Sequence, residues 1–600
     1  MLPVSTQNQK KLLLIARQSL ADVLEKTPSE LAAYSQGRRA KEVSANVHVC
    51  IWRKGKLRAH GISHYFTLED GVYMATVYAL EVPVDDTLLL VGELEELTVE
   101  IFVKTGETLF SPPSDPNSKD HLKAFSQGIS LKFNDGFFDL LPTTIITEKL
   151  FSFDEQLNYL LNLCDQERDI LNDEENQIFI TDWLHISETK NSSDEITTFK
   201  RRRSEKQNPV NYESILNAAV ACGNRLVNQQ SVRGIYTYEY NALENHISNE
   251  DFNIVRMAGT AFSMTMLADF IKTAGSGRRF EKSAASAIRY LFTLSSTTPF
   301  IKESLFIAQE EYGRFNFVGK LGSTALALLG LQFGSFYEKY ADQRQKLTNT
   351  ILGMQNQDGS YNSYVPTKVL PVSPNRKASA NYFPGEALLA FCYALQNNFD
   401  RDVARSVAKS FHFYRKHFTD EPNTAFVLWQ ASAWAIFYRL MTESAAIKEI
   451  ADEYKVESSA VADFVYQQAD WILQFQHDSA TTDIEEYIGG FPNDTAPNSV
   501  SSCYLEAVIR AAGLAFERGD EQKFEKYKVA SIKGLEFLMR LQLKEEESFL
   551  FPEPIMAIGG ISSNLVSFRL RNDRDQHAIT AFIAALETPS IFDDLQKDHK

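Results

Sequence analysis

A regular alternation of two kinds of predicted helix constrains this chain more than any other feature. From about residue 210, six segments are amphipathic, with charge on one face, near residues 211–230, 280–295, 338–357, 400–418, 457–477 and 522–543. Between them lie six apolar, small-residue-rich segments, which begin near NIVRMAGTAF, GKLGSTALALLGL, YFPGEALLAF, TAFVLWQASAW, NSVSSCYLEAVIRAAGLA and DQHAITAFIAAL. A helix that is apolar almost all round must be buried on most sides. We therefore expect residues 210–600 to form an (α/α)6 toroid, with the apolar helices as an inner ring.

Loops that combine glycine with aromatic residues precede several of the predicted inner helices. They read RGIYTYEY, YGRFNF, QDGSYNSY and YIGGFPND, with GGISSN before the last. A repeated loop type at corresponding positions supports the toroid. On the helix alternation and these loops, residues 210–600 resemble the six-hairpin glycosidase-like superfamily. The resemblance implies a sugar hydrolase, lyase or epimerase, although no family-specific catalytic motif is matched.

The first part of the chain has a different pattern, in which strand-like runs such as VHVCIW and LTVEIFV mix with helical stretches at 5–26 and 153–171. It predicts a compact α+β domain over residues 1–186. The order KGKLRAHGISHYFTLEDGVYMATVYAL, LTVEIFV, ISLKFNDGFFDLLPTTIITEKLFSFDEQLNYLLNLC and IFITDWLHI resembles the AMMECR-one domain family. The family signature Leu-Arg-Gly-Cys-Ile-Gly is kept only as Leu57 and Arg58, and His60 and His64 offer polar groups nearby.

Residues 187–209, SETKNSSDEITTFKRRRSEKQNP, are polar and have no apolar period, so we expect a linker between the two domains. The basic run KRRRSEK from Lys200 to Lys206 is read as part of this solvated linker. The predicted fold class is therefore multidomain, an α+β domain followed by a toroid. The linker would allow the first domain to contact the toroid mouth.

Composition and missing motifs exclude several classes of function. A net charge of −17 argues against a nucleic-acid groove, and the one apolar run near the N-terminus, LLLIA, is too short for a membrane span. Five scattered cysteines without a Cys-x-x-Cys spacing predict a reduced, cytoplasmic protein. No phosphate loop, dinucleotide fingerprint or Gly-x-Ser-x-Gly occurs, so no cofactor is expected. Cys392, Cys503 and His577 could in principle hold zinc, but buried small hydrophobes are the favoured reading of the cysteines and no metal is predicted.

The inner-helix N-termini of such a ring converge on one open face, where polar residues line a funnel. The polar residues at these positions are Arg256, Lys320, Glu386, Trp429, Gln430, Glu506, Gln576 and His577. Glu386, beside the aromatic Tyr382, is expected to have a raised pKa and to act as an acid or base, or else only to meet the helix dipole. His577 is the second candidate for proton transfer, or a capping histidine. Glu506 is a candidate second carboxylate, as is Asp494, but Glu506 could equally pair with Arg510 one turn on.

A second group of residues is expected to bind the substrate. Arg256 and Lys320 would hold an anionic group, or would pair with Glu386, Glu310 or Glu311 in a structural network. Aromatic residues of the loops either stack on a sugar or fasten the loops to the ring; they are Tyr236, Tyr238, Tyr240, Tyr312, Phe315, Tyr361, Tyr364, Tyr487 and Phe491. The predicted substrate-binding set is Arg256, Lys320, Tyr382, Trp429, Gln430, Gln576, Tyr238, Tyr312 and Phe491.

These residues together predict a cofactor-independent enzyme that acts by acid/base chemistry on a sugar or another polyhydroxylated, anionic compound. Two alternatives stay open at this point. The funnel could bind a ligand without turning it over, as a binding or scaffold protein does. It could also belong to a natural-product cyclase, although no Asp-x-Asp-Asp motif lies on any predicted inner helix.

Overall fold

The computed structural model describes residues 4–25, 45–65, 67–81, 84, 87–110, 125–133, 136–173, 175–189, 192–248, 253–272, 277–310, 317–368, 380–493 and 496–593. Within them the chain forms a strand-rich N-terminal region followed by a double ring of helices. The predicted fold class, an α+β region followed by an (α/α)6 toroid, is confirmed.

The N-terminal region is built from helices packed on a sheet. Its helices are α1 (Thr6–Leu24), α2 (Leu68–Glu81), α3 (Pro142–Thr147) and α4 (Phe153–Leu163), with 3₁₀ turns at Val91–Glu96 and Arg168–Asn172. Its strands are β1 (Ala45–Arg53), β2 (Lys56–Tyr65), β3 (Thr98–Leu109), β4 (Gly128–Phe133), β5 (Gly136–Leu140), β6 (Gln177–Thr189), β7 (Ser192–Lys200) and β8 (Arg203–Ser204). The main strand order is β2-β1-β3-β6-β4-β5, and β7 pairs with both β6 and β8.

The toroid contains six inner and six outer helices among the described residues. The inner helices are α6 (Ile254–Phe270), α8 (Leu321–Gly330), α11 (Phe383–Asn397), α13 (Thr424–Glu443), α16 (Ser501–Glu517) and α19 (Asn572–Leu586). The outer helices are α5 (Tyr212–Asn228), α7 (Gly277–Thr293), α10 (Ala341–Gly353), α12 (Arg401–Asp420), α15 (Ser458–Leu473) and α17 (Glu521–Leu541). Shorter helices lie in the connections: α9 (Gly334–Lys339), α14 (Ala445–Glu453) and α18 (Pro554–Ala557), with 3₁₀ turns at Glu485–Tyr487, Glu545–Leu550 and Pro589–Phe592.

The inner ring is closed. Each inner helix packs against the next one along the chain, and the last, α19, packs against the first, α6. At this closure Arg225 of α5 forms an ion pair with Asp575 of α19, and both side chains are fully buried. Asp575 also accepts a hydrogen bond from the backbone N–H of Ile561 at 2.8 Å. The pair thus ties the first helix of the toroid to its last inner helix.

Short strands lie in the connections between the helices. They are β9 (Glu239–Asn241), β10 (His246–Ser248), β11 (Ser295–Ser296), β12 (Phe306–Glu310), β13 (Phe317–Gly319), β14 (Pro492–Asn493), β15 (Ala496–Pro497), β16 (Ser562–Asn564) and β17 (Ser567–Arg571). Four of them form one sheet in the order β10-β9-β17-β16. Because β17 leads directly into α19, this sheet fixes the start of the last inner helix.

The expectation that residues 187–209 form a polar linker is wrong. The segment contains the end of β6, all of β7 and β8, and three arginines that are each 5% exposed. Arg201 pairs with Glu486 at 2.9 Å, and Arg203 pairs with Glu547 at 3.2 Å. The guanidinium of Arg202 lies 5.1 Å from the ring centre of Trp52. The centre of the basic run, Arg201 to Ser204, is therefore buried, and carboxylates from the toroid neutralise Arg201 and Arg203, whereas Glu205 and Lys206 are exposed.

The N-terminal region packs directly on the toroid. Arg203 donates hydrogen bonds to the carbonyl oxygens of Arg540 and Gln542, at 2.9 and 3.0 Å. Apolar side chains of both regions, including Trp52 and Phe551, share one core. Of the helices described, none has both the length and the apolar character needed to cross a membrane. The division of the chain into domains at residues 186 and 210 stays a prediction.

Candidate active site

All six inner helices run in the same direction, because one outer helix returns between each consecutive pair. Their N-terminal ends therefore meet at one face of the ring, which is where most of the predicted site residues lie. We call this place the funnel and define it by Tyr382, Glu386, Trp429, Arg574 and His577.

Glu386 lies in the first turn of α11, after Pro384 and Gly385, and is only 3% exposed. Its Oε2 has no hydrogen-bond partner among the described residues. Gly322 of α8 faces it so closely that a Cβ atom there would be 2.3 Å from Oε2. Burial raises the pKa of Glu386 to about 8. The carboxyl group is therefore protonated at neutral pH, so it does not meet the helix dipole as a charge.

His577 lies in the second turn of α19. Its ring packs against the indole of Trp429, with the ring centres 5.5 Å apart. Burial lowers the pKa of His577 to about 4; Asp573 opposes this effect, and Arg574, Arg256 and Arg571 add to it. The imidazole is thus neutral at neutral pH and has a lone pair to accept a proton.

Trp429 of α13 contacts both His577 and the residue that precedes Glu386. It is 4% exposed, its ring meets His577, and its Cβ would be 2.6 Å from a Cβ at Gly385, the residue before Glu386. Tyr382 stands at the rim with 46% exposure. Burial and the nearby Cys503 raise the pKa of Tyr382, while Arg256 and Arg574 oppose that shift. Tyr382 therefore lies within electrostatic reach of the cations of two other inner helices.

An arginine cluster borders the funnel on the α19 side. Asp573 pairs with Arg571 at 2.6 Å and with Nε of Arg256 at 3.1 Å. The ring of Tyr238 lies beneath both guanidinium groups, at 5.1 Å from Arg256 and 5.2 Å from Arg571, and its hydroxyl accepts a hydrogen bond from Arg256. Burial alone would raise the pKa of Asp573, but Arg574, Arg571 and Arg256 lower it below its usual value. One carboxylate is therefore surrounded by three cations.

Arg574 is the cation that the local network does not neutralise. It is partly exposed, and within the described part of the chain no carboxylate forms an ion pair with it. Its charge lowers the pKa values of Tyr382 and Cys503 against the effect of burial, and adds to the effect of burial on the pKa of His577. Arg574 therefore adds positive charge to the funnel, with Asp573 as the carboxylate within its electrostatic reach.

Glu506, predicted as a second catalytic carboxylate, is held in a network between inner helices. It is 4% exposed and accepts hydrogen bonds from Ser432 at 3.1 Å and Thr580 at 2.7 Å. Burial raises its pKa, against the opposing charge of Arg510. Arg510 itself pairs with Glu587 at 2.7 Å, not with Glu506. The geometry favours a structural role for Glu506.

The two predicted glutamines lie deep in the ring. Gln430 is fully buried, and its Oε1 accepts a hydrogen bond from the indole N–H of Trp434 at 2.8 Å. Its Nε2 has no partner among the described residues. Gln576 is 2% exposed and lies so close to Gly259 of α6 that a Cβ there would be 2.4 Å from Oε1.

Several loop aromatics fasten loops to the ring. Phe491, predicted to bind substrate, is fully buried, and its backbone N–H donates to Ser501 at 2.9 Å. Tyr236 and Tyr361 are buried and hydrogen-bond to Ser283 and Ser406, at 2.8 and 2.6 Å. Of the two roles expected for these aromatics, these three therefore fit the structural one.

The remaining predicted residues are placed as follows. Lys320 is the N-cap of α8 and is partly exposed, and its backbone pairs with that of Tyr364. Tyr312, Phe315, Glu311 and Asp494 lie outside the described residues. Cys392 is buried and donates to the carbonyl oxygen of Ala433 at 3.3 Å, and no group of three or more His, Cys, Asp or Glu side chains among the residues described could hold a metal ion.

Sequence reasoning missed Arg571, Asp573 and Arg574 as members of the site. The signal was present as the charged run RNDRDQH directly before the apolar part of α19. It also missed Asn572, which is 2% exposed and whose Oδ1 has no partner in the described part of the chain.

No model of a known protein family matches the sequence, and no curated protein matches it either. Among solved structures, the chain is similar to a D-mannose isomerase, with 13% identity, a TM-score of 0.42, and coverage of 63% of this chain and 97% of that one. A cellobiose 2-epimerase from Bacillus thermoamylovorans has 10% identity and a TM-score of 0.39, with 62% and 98% covered. An uncharacterized protein from Pyrococcus horikoshii has 18% identity and a TM-score of 0.25, with 32% and 96% covered. Because these TM-scores are below 0.5, the likenesses carry no weight in assigning a function.

Proposed function

We propose that the funnel is the active site of a cofactor-independent enzyme that acts by acid/base chemistry on a sugar or another polyhydroxylated, anionic compound. The reaction would be of the hydrolase, lyase or epimerase type. The observation that supports this most directly is the buried carboxyl group of Glu386, whose Oε2 no described residue satisfies. Trp429 lies against Gly385, the residue before Glu386, and its indole contacts the neutral His577.

The environments of Glu386 and His577 push their pKa values in opposite directions. Burial brings the pKa of Glu386 up to about 8 and that of His577 down to about 4. Near neutral pH the first group therefore carries a proton to give, and the second has a lone pair to receive one. Such separation of titratable groups is typical of an acid and a base that work together.

Unpaired polar atoms on the inner helices suit a substrate rich in hydroxyl groups. Oε2 of Glu386, Nε2 of Gln430 and Oδ1 of Asn572 are buried without a partner among the described residues. A buried polar atom that stays unpaired costs about 1–3 kcal/mol, which a bound hydroxyl group would recover. Trp429 and Tyr382 supply aromatic faces of the kind that stack on sugar rings. Arg574 supplies a positive charge for an anionic group.

Proton transfer can be tested without knowing the natural substrate. The full-length protein would be incubated in D2O with separate neutral sugars, uronic acids and sugar phosphates, and followed by proton NMR. Carbon-bound deuterium, a new sugar or a cleaved bond identifies turnover. We expect turnover of at least one acidic sugar, with roughly a hundredfold loss in Glu386→Gln and none in Glu213→Gln, an exposed glutamate of α5.

Three other outcomes would contradict the proposal, and two of them would favour one of the alternatives. Ligand binding by calorimetry without any product would support a binding or scaffold protein. Full turnover in Glu386→Gln would exclude the assigned acid. A natural-product cyclase would instead leave the sugars unchanged and convert an acyclic substrate.

We further infer that residues 1–186 are an AMMECR-one-like domain and that the protein is cytoplasmic, on the sequence features given above. The packing of this region on the toroid supports a role close to the funnel, because Trp52 shares a core with Leu570 of β17, the strand that leads into α19. Nucleic acid is not expected as a partner, since the net charge is −17.

A further inference from the structure

The N-terminal sheet has one apolar face and one polar face. Along β1, Val47, Val49 and Ile51 point to the core beneath α1 and α2, while the alternate residues point to the other side. We call that other side the polar face; it is formed by Asn46, His48, His60, His64, Lys104, Ser130, Asp139 and Trp183. A polar interior costs stability unless it is fully hydrogen-bonded, so its presence calls for an explanation.

The sheet curls so that the polar face becomes its inside. β5 stands four strands away from β1 in the sheet order, which is about 19 Å in a flat sheet. Even so, Oδ2 of Asp139 on β5 is 3.3 Å from Nε2 of His48 on β1. The two strands therefore face each other across a curled interior. Interiors of this kind are where small β-barrels hold ligands.

Three residues form a chain of hydrogen bonds across this interior. Asp139 also accepts a hydrogen bond from Asn46 at 3.1 Å and forms an ion pair with Lys104 at 3.2 Å. The hydrogen bond and charge of His48, helped by Lys104 and Ser130, outweigh burial and hold the pKa of Asp139 well below its usual range. As a carboxylate it can only accept, so Nε2–H of His48 donates to it. With His48 neutral, its Nδ1 accepts from Nε2–H of His60, at 3.1 Å. This order leaves a lone pair on Nδ1 of His60.

The outer end of the chain is open while the inner end is closed. His48 and Asp139 have side chains that are each 1% exposed, whereas His60 is partly exposed. The ring of His48 stacks on His60, with centres 5.3 Å apart, and meets Trp183 edge-on at 5.1 Å. Nδ1 of His60 has no hydrogen-bond partner in the described part of the chain. His60 is thus a base that two buried groups hold in place, and Nδ1 is its one ring nitrogen without a hydrogen-bond partner among the described residues.

Aromatic rings and a cation lie beside this base. The ammonium group of Lys104 stands 5.2 Å from the ring centre of Phe137 and 5.8 Å from that of Trp183, and both rings are partly exposed. An aromatic wall favours a planar molecule, and a nearby ammonium favours the anion that forms when such a molecule loses a proton. His64, four residues from His60 on the same strand, is about 13 Å along it, too far to share a metal ion with His60.

We propose that the polar face is a second acid/base site, separate from the funnel, at which His60 removes a proton from a small planar weak acid. His60 is the catalytic residue. His48 and Asp139 are positioning residues, which fix the tautomer of His60. The proposal does not depend on the function of the toroid.

The natural ligand is not needed for a test, because a carbon acid can serve as a probe. With 5-nitrobenzisoxazole, Nδ1 of His60 would take the proton of the ring C–H. The electron pair of that bond would form the nitrile, the N–O bond would break, and the oxygen would leave as a phenolate. His60 then returns the proton to water, so the reaction needs no other reactant.

The rate would be measured by phenolate absorbance with the full-length protein. We expect kcat/KM to fall roughly a hundredfold in His60→Ala and to stay unchanged in His246→Ala, which removes an exposed histidine of β10. An equal rate in wild type and His60→Ala overturns the proposal, as does an equal loss in the two variants.

A second measurement keeps the proposal testable if a variant fails to fold. Selective ¹⁵N-histidine labelling of the wild type reports which ring nitrogen of each histidine carries hydrogen. We expect Nε2–H on His48 and His60, and Nδ1–H on His64, since His64 donates from Nδ1 to Asn46 at 2.8 Å and Asn46 donates to Asp139. In Asp139→Asn the tautomer of His48 should no longer be fixed. If Asp139 only packed against its neighbours, this substitution would leave the tautomer of His48 unchanged. Nδ1–H on His60 in the wild type would overturn the proposal.

Discussion

Gly322 lies directly against the carboxyl group of Glu386, so closely that a Cβ atom at residue 322 would stand 2.3 Å from Oε2 and 2.5 Å from the ring of Phe383. Two neighbouring inner helices thus leave room for this carboxyl group only because one of them has no side chain at that point. The contact makes residue 322 a sensitive probe of the site.

Gly322→Ala should displace Glu386 and reduce turnover. We expect a loss of at least about tenfold in kcat and a decrease of about 1–3 kcal/mol in the free energy of unfolding, because the extra methyl group overpacks the ring. Activity assays and denaturant unfolding would measure both effects. Gly92→Ala is the matched control, since nothing lies within 4 Å of its added Cβ. Unchanged turnover in Gly322→Ala would show that the position of Glu386 is not critical.

The pH profile of turnover should have limbs that correspond to the two proton-transfer groups. Below about pH 4 His577 becomes protonated and can no longer accept a proton, and above about pH 8 Glu386 loses the proton that it must give. We expect a plateau between these values in kcat/KM measured across pH 3.5–9.5, with a fall on either side. A profile that rises through pH 8 would contradict the role of Glu386 as the acid.

The stability of the protein should fall as pH rises toward 8, in part because of Glu386. Its pKa is about 8 in the folded protein, against a normal value of 4.5. Between these values the unfolded chain has already lost the proton that the folded chain keeps, so each step up in pH favours unfolding. Glu386→Gln should remove this contribution, on the order of a few kcal/mol, whereas the exposed Glu213→Gln should keep it. Denaturant unfolding at pH 5 and pH 8.5 would give the loss in free energy of unfolding between the two pH values for each variant.

Arg574→Gln should weaken the binding of acidic ligands while leaving neutral ones less affected. Loss of a charge-assisted contact costs about 1.5–3 kcal/mol, so we expect KM for an acidic sugar to rise tenfold or more. The acidic limb of the pH profile should also shift to higher pH, because the substitution removes a cation that lowers the pKa of His577. Arg569→Gln, at a residue whose side chain is 63% exposed, is the control. Equal effects on acidic and neutral sugars would exclude Arg574 as an anion-binding group.

Arg203→Ala should destabilise the protein strongly. The substitution leaves the carboxylate of Glu547, which is 1% exposed, without its buried partner, and such a loss costs about 3–5 kcal/mol. Arg168→Ala breaks an ion pair that is half exposed and should cost at most about 1 kcal/mol. Chemical unfolding of both variants would give the comparison, and similar small losses would show that the Arg203 pair is not stabilising.

The sequence predicted the ring well because helix periodicity is a local signal. All six inner and all six outer helices lie where the alternation places them, since an all-apolar helix has few options but burial. Glu386 could be singled out for a related reason, as an ionisable residue in an apolar sequence. The contact between Trp429 and His577 agrees with the expected convergence of the inner-helix starts, but the functional roles of Glu386, His577, Tyr382 and Trp429 stay predictions.

The errors arose where the outcome depends on partners that are distant in the sequence. The run from Lys200 to Arg203 has the composition of a linker, but Glu486 and Glu547 neutralise Arg201 and Arg203 and allow both to be buried. Likewise, the sequence left Glu506 open between a catalytic and a structural role, and its hydrogen bonds come from Ser432 and Thr580 of two other helices. Periodicity does not report such pairings. Whether the glycine-aromatic loops bind sugar or fasten the ring also depends on burial that local sequence does not give.

The closure of the ring by its last inner helix has a consequence for synthesis. His577 and Arg574 both lie on α19, the helix that packs back against α6 and is tied to α5 by the Arg225–Asp575 pair. A nascent chain on the ribosome cannot complete the ring until this helix has emerged, so its earlier inner helices must wait with an apolar side uncovered. A prematurely terminated product that lacks α19 would therefore be inactive and prone to aggregation. Only a chain translated through α19 can form the active ring.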